Sequence, residues 1–136
     1  KNMAVLTGHE LSLSKLIKDG SDVWLNTPIV TREASGTSGM TAAMNASLNF
    51  STFDGWICEF ANDENSFVVP VAPHSPEWER DVTDMSQMLD MLENKILPMY
   101  YERQAAWQKM VLQSMNDVND FFESSRMAAE YYEKVY

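Results

Sequence analysis

The 136-residue sequence has a single cysteine, Cys58. An intrachain disulfide is therefore excluded, and a zinc site built on cysteine thiolates has too few ligands. A reducing cytoplasm fits this usage. Positive charge is also scarce: ten Lys and Arg stand against twenty Asp and Glu, for a net charge of −10. That balance argues against a nucleic-acid or anionic-membrane surface. No apolar run reaches the ~20 residues that cross a bilayer, and no secretory signal opens the chain. The sequons at Asn45 and Asn49 are read accordingly as chance matches. Of the two histidines, His9 precedes Glu10 with no second histidine at metalloprotease spacing, and His74 lies in a proline loop. Internal repeats, low-complexity tracts and flexible linkers are absent. The chain begins with Lys1 and reads at once as a strand, so it is expected to be a piece of a longer polypeptide.

What is present suffices for one packed domain: 45% of the residues are hydrophobic. Met3–Leu6 reads as a short buried strand. Leu13, Leu16 and Ile17 share a helix face, and Gly20 stands where a helix ends. Asp22–Leu25 is the next strand. Met40, Ala43 and Met44 recur at helical spacing, Leu48–Phe50 returns to a strand, Asp54-Gly55 turns, and Phe67–Val69 is a final short strand. The alternation predicts an α/β fold with a parallel sheet of three or four strands, covered by helices. After residue 72 the pattern becomes helical. Met85, Met88, Leu89, Leu92 and Ile96 line one face, Pro98 marks a break or a new start, and Trp107, Met110, Val111, Met115 and Val118 line a second face. Ser124 and Ser125 offer a cap for a third helix carrying Met127, Tyr131 and Val135. The methionines, Trp56, Trp107 and Tyr131 read as core, and Cys58, with no basic cluster beside it, reads as structural. Two parts follow, residues 1–72 and residues 73–136.

The stretch with the most chemistry is Glu33–Asn45, EASGTSGMTAAMN. It follows the Asp22–Leu25 strand and opens a helix, so it lies at the carboxyl end of a parallel strand, where α/β sheets bind ligands. The free N–H groups and dipole of a first helical turn favour an anion. Gly36 and Gly39 permit close backbone approach, while Ser35, Thr37 and Ser38 add hydroxyls. An ionised Glu33 only accepts hydrogen bonds and suits a polyol such as a sugar. The same residues also fit a plain helix start of small residues beside a surface acid.

The segments DVWLNTP, EASGTSGM and LNFSTFDGW resemble the C-terminal domain of the α-glucan (glycogen/starch) phosphorylase family. The resemblance extends to Met91–Tyr101 and to Ser125–Tyr132, and so covers nearly the whole chain. It implies a partial Rossmann-like parallel sheet from the C-terminal domain of a GT-B glycosyltransferase over residues 1–72, with C-terminal helices over 73–136 packing on the same domain. It implies phosphorolysis of α-1,4-glucan to glucose 1-phosphate, with pyridoxal phosphate carried on a lysine. Glu33, Ser35 and Gly36 would hold the terminal sugar, and Gly36, Thr37 and Ser38 would face the phosphates. The implied partners are α-glucan, phosphate or glucose 1-phosphate, the upstream domain of the same polypeptide and a second copy in a homodimer; nucleic acid and membrane are not among them.

Two positions depart from the family. Its pattern continues E-A-S-G-T-x-x-M-K, whereas Thr41 occupies the lysine position here. A hydroxyl cannot form the imine that tethers pyridoxal phosphate. No lysine occurs between Lys18 and Lys95, so none is expected nearby. At His9-Glu10 many members carry a Tyr-Arg pair, and an acid there would disfavour a phosphate. Three readings stay open: a phosphorylase whose cofactor binds without a tether, a nucleotide-sugar-dependent glucan transferase, and a degenerate glucan-binding module. The 136 residues alone are expected to be inactive.

Overall fold

The computed structural model describes residues 2–32, 36–70 and 76–136. The sheet is built around β2 (Leu48–Thr52), whose five residues are all buried. It pairs in parallel with β1 (Val23–Asn26) on one side and β3 (Ser66–Val69) on the other. Register places Val23 beside Leu48, Leu25 beside Phe50, and Phe50 beside Phe67. Because side chains alternate along a strand, Val23, Leu25, Leu48, Phe50, Phe67 and Val69 share one face. Trp24, Asn49, Ser51 and Val68 share the other.

Each face has its own core. On the first, Leu48, Phe50, Phe67 and Val69 pack with Ile96, Trp107 and Met110. Ile96 comes from a π-helical segment (Leu92–Ile96), Trp107 and Met110 from α6 (Gln104–Phe122), and the partly buried Met88 and Met91 of α4 (Glu77–Met91) pack against them. Trp107 stacks on Phe67 at 6.2 Å and meets Tyr100 edge-on at 5.0 Å. On the second, Ala43 of α2 (Thr37–Met44) packs with Trp56, Val118, and Ile57 and Phe60 of α3 (Ile57–Phe60). The long helix α6 supplies Met110 to one core and Val118 to the other. A small parallel sheet with helices on both faces is thus the α/β arrangement anticipated. It has three strands among the described residues.

The π-helical segment has a local cause. Pro98 lies in the first turn of α5 (Leu97–Glu102). Without an N–H it cannot continue the i→i−4 ladder, and the preceding turn widens. Tyr100 of α5 donates its hydroxyl to Asp22 at 3.2 Å, tying the helical part to the start of β1.

Four expectations need correction. Met3–Leu6 is not a strand: no regular structure spans it, and Met3, Val5 and Leu6 are exposed. A strand needs a hydrogen-bonded neighbour, and only β2 pairs with β1 among the described residues. The predicted helix α1 (Leu11–Asp19) forms and ends at Gly20, but none of its residues is buried. The third helix, α7 (Ser124–Lys134), is capped by Glu123 and not by a serine. The Glu123 carboxylate accepts from the Ser125 and Arg126 amides at 2.9 and 3.2 Å. A carboxylate satisfies two of the free amides at once, and these bonds hold Glu123 below the usual carboxylate range. No residue of α7 is buried, and Met127 and Tyr131 are about half exposed, so neither is core. Cys58, finally, is exposed and fills no core. Partial burial and the nearby Asp54 push its thiol above the ordinary value.

Candidate functional site

β1 ends at Asn26, and the chain leaves the sheet through Thr27–Arg32 toward α2. This crossover is tied to the end of β2. Thr52 donates its hydroxyl to the Pro28 carbonyl at 2.8 Å, and the Thr31 amide reaches Asp54 at 3.4 Å. Thr31 has a φ of 73°, the left-handed region that a threonine adopts only where its surroundings hold it there. Glu33 and Ser35 lie outside the described residues, so their sugar-binding roles have no structural reading. Gly36 is the N-cap of α2, with no side-chain cap bond. Its first-turn amides therefore have no side-chain acceptor from the cap residue. Gly36 and Thr37 are exposed and Ser38 is half-buried. Gly36, Thr37 and Ser38 are consecutive in this first turn.

α2 is pinned by its underside. Gly39 is buried against Asn49 and Trp56, and Asn49 donates from Nδ2 to the Gly39 carbonyl at 3.0 Å. Asn49 is 1% exposed, which leaves its side chain no room for a glycan. The opposite side of α2 carries Thr41, exposed, one turn after Thr37. Its Oγ1 donates to the Thr37 carbonyl at 2.7 Å, a common bond for a hydroxyl inside a helix. It also accepts from Lys18 Nζ at 3.2 Å. Lys18 comes from the last turn of α1, and its ammonium stands 5.8 Å from the centre of the Trp24 ring.

The expectation that no lysine lies near Thr41 is therefore wrong. Lys18 is 23 residues away in sequence and within hydrogen-bond distance in space. His9 and Glu10 precede α1 and are exposed. Glu10 accepts from Ser12 at 2.6 Å, and no metal-binding group of acids, histidines and cysteine occurs among the described residues.

A cavity of about 420 Å³ lies on the other face of the sheet, between the strand ends and α4. Leu25, Phe50, Val69, Met85 and Met88 line it, with Arg80, Asp81 and Asp84 at the polar side. Partial burial raises the Asp84 carboxyl above its ordinary value; Asp81 adds to this and Arg80 opposes it. Periodicity placed Met85 and Met88 on this face but could not show that α4 leaves a gap against the sheet.

Over 97% of its length the chain is 38% identical to maltodextrin phosphorylase of Thermococcus litoralis, of which it covers 16%. It is 35% identical over 98% of its length to glycogen phosphorylase of Mycobacterium tuberculosis, again covering 16% of that protein. An uncharacterized protein of Methanocaldococcus jannaschii is 42% identical over the whole chain, which covers 25% of it. The chain thus spans between 16% and 25% of the length of these relatives. No family model matches the sequence, and no solved structure does. Over nearly all of its length, then, the chain is homologous to one segment of the glycogen and maltodextrin phosphorylases.

Proposed function

We propose that this chain is the sugar- and phosphate-facing part of an α-glucan phosphorylase, a GT-B glycosyltransferase that cleaves α-1,4-glucan with phosphate to give glucose 1-phosphate. The observation that carries the reading is the start of α2 without a side-chain cap, in a chain homologous to named phosphorylases. In this reading Gly36, Thr37 and Ser38 present amides and hydroxyls to phosphate oxygens, where the helix dipole favours negative charge. Glu33 accepts from sugar hydroxyls, and Ser35 and Gly36 hold the same sugar through the backbone. Thr52 and Asp54 act indirectly, by fixing the crossover that carries the loop.

Pyridoxal phosphate belongs to the same reading. A covalently held aldehyde needs an amine, which Thr41 does not supply; the Lys18 ammonium lies 3.2 Å from its hydroxyl. When bound, the cofactor supplies a phosphate that exchanges a proton with the substrate phosphate. The remaining basic residues and the facing domain belong to the rest of the polypeptide, which acts in the cytoplasm, and a second copy completes a homodimer. The 136 residues alone have no activity.

The test is an assay of the full polypeptide with glycogen or maltodextrin. Phosphate-dependent release of glucose 1-phosphate is the expected result. Glucan extension from a nucleotide glucose without phosphorolysis would replace this reading with a nucleotide-sugar transferase. Glucan binding with neither turnover would leave a binding module.

A further inference from the structure

We propose that the cavity between the strand ends and α4 binds a small organic cation, an amine carried on an aliphatic or aromatic body. The proposal goes beyond the phosphorylase reading and does not depend on it. At about 420 Å³ the cavity falls within the ~300–1,000 Å³ of ligand pockets. Thr27, Thr52 and Val69, at or just past the carboxyl ends of β1, β2 and β3, all line it. Parallel sheets take ligands at such ends.

The walls are apolar except on one side. Leu25, Met85 and Leu89 are each about half exposed, so their side chains are open to an apolar body. On the sheet side the Thr52 hydroxyl already donates to the Pro28 carbonyl. Charged recognition therefore falls to α4. Asp84 stands three residues after Asp81 and four after Arg80, so the three share a helix face, and all line the cavity.

Two carboxylates against one guanidinium leave one negative charge on this side. Arg80 Nε is buried with no hydrogen-bond partner among the described residues, so that atom bonds to neither acid. Asp84 is half-buried, and burial together with Asp81 outweighs Arg80 in raising its carboxyl. A bound ammonium supplies the missing counter-charge and a donor to the carboxylate. A carboxylate ligand would meet two like charges, and a neutral one would leave the charge unmatched. The net charge of −10 attracts a cation from a distance in the same sense.

Calorimetric titration of the full polypeptide with three probes of similar shape tests the proposal: 2-phenylethylamine, 2-phenylethanol and phenylacetate. The amine should bind at least about tenfold more tightly than the alcohol, since a hydrogen bond to a charged group is worth that much. Phenylacetate should bind most weakly. Asp84→Asn should weaken the amine about tenfold and leave the alcohol unchanged. Asp81→Asn, at an exposed position, should weaken the amine in the same direction and decides if the first variant misfolds. Equal affinity for amine and alcohol, tighter binding of phenylacetate, or amine binding that survives both substitutions would each overturn the proposal. So would no binding of any probe, the result expected if another part of the polypeptide fills the cavity. None of these outcomes bears on phosphorolysis, which the glucan assay tests separately.

Discussion

Replacing Gly39 by alanine should destabilise the protein, although alanine is the better helix former. A Cβ at position 39 would lie 2.6 Å from Asn49 Oδ1 and 3.0 Å from both Nε1 and Cζ2 of Trp56. Neither neighbour yields easily. Asn49 is 1% and Trp56 5% exposed, and Asn49 Nδ2 is bonded to the Gly39 carbonyl itself. Relieving the contact means moving α2 away from β2 or turning Asn49, and either breaks that bond. Overpacking of a tight core costs ~1–3 kcal/mol, and a lost buried hydrogen bond adds about 1 kcal/mol. The gain in helix propensity from Gly to Ala offsets roughly 1 kcal/mol. The net expectation is a loss of ~1–3 kcal/mol, which lowers the Tm by roughly 3–10 °C for a chain of this size. Thermal melts followed by circular dichroism would read it. The double variant Gly39→Ala/Asn49→Ala should lose less than the two single changes summed, since removing the amide vacates the space. A Gly39→Ala protein as stable as the parent, or more so, would refute the close packing of α2 on β2.

Trp107→Ala should cost ~3–5 kcal/mol in urea unfolding, because Trp107 is 6% exposed and joins Phe67 to Tyr100 in the first core; a loss under about 1 kcal/mol would contradict that placement. Asp84→Asn should raise the Tm at neutral pH. Burial and Asp81 raise the Asp84 carboxyl, so the folded chain binds that proton more tightly than the unfolded one. Stability therefore falls as pH rises from the ordinary carboxylate range through the raised value, and the penalty is complete at neutral pH. The gain from asparagine should vanish below the ordinary carboxylate range, and an equal or lower Tm for the variant at pH 7 would count against it.

Much of the fold was legible because its periods are local. Apolar alternation and the turn at Asp54-Gly55 mark β1, β2 and β3, and helical spacing marks α4 and α6. The failures share a cause. Met3–Leu6 has the composition of a strand, but pairing is not a property of composition. Tyr131 and Met127 have the spacing of a buried helix face, yet none of the described elements covers them. The cap of α7 is Glu123 and not the serines beside it, because two free amides are better met by two carboxylate oxygens. The polar anchor of the second core was missed as well. Buried Asn65 donates to the Phe60 carbonyl at 2.8 Å and to Asp117 at 2.9 Å, joining α3, β3 and α6. Its side chain satisfies partners 5 and 52 residues distant in sequence, and no local pattern predicts that.

For the site, the sequence by itself determined the residue types: an acid, small residues with hydroxyls, a helix start, and Thr41 one turn into that helix. These are local facts, since N-capping and helix dipoles depend on a few consecutive residues. The tertiary structure alone decided which groups meet them. Packing of α1 beside α2 carries Lys18 to Thr41, while the Thr52 hydroxyl meets the Pro28 carbonyl and the Asp54 carboxylate accepts from the Thr31 amide. Contacts across such sequence separations arise only when the sheet forms, because its register sets where each helix lies.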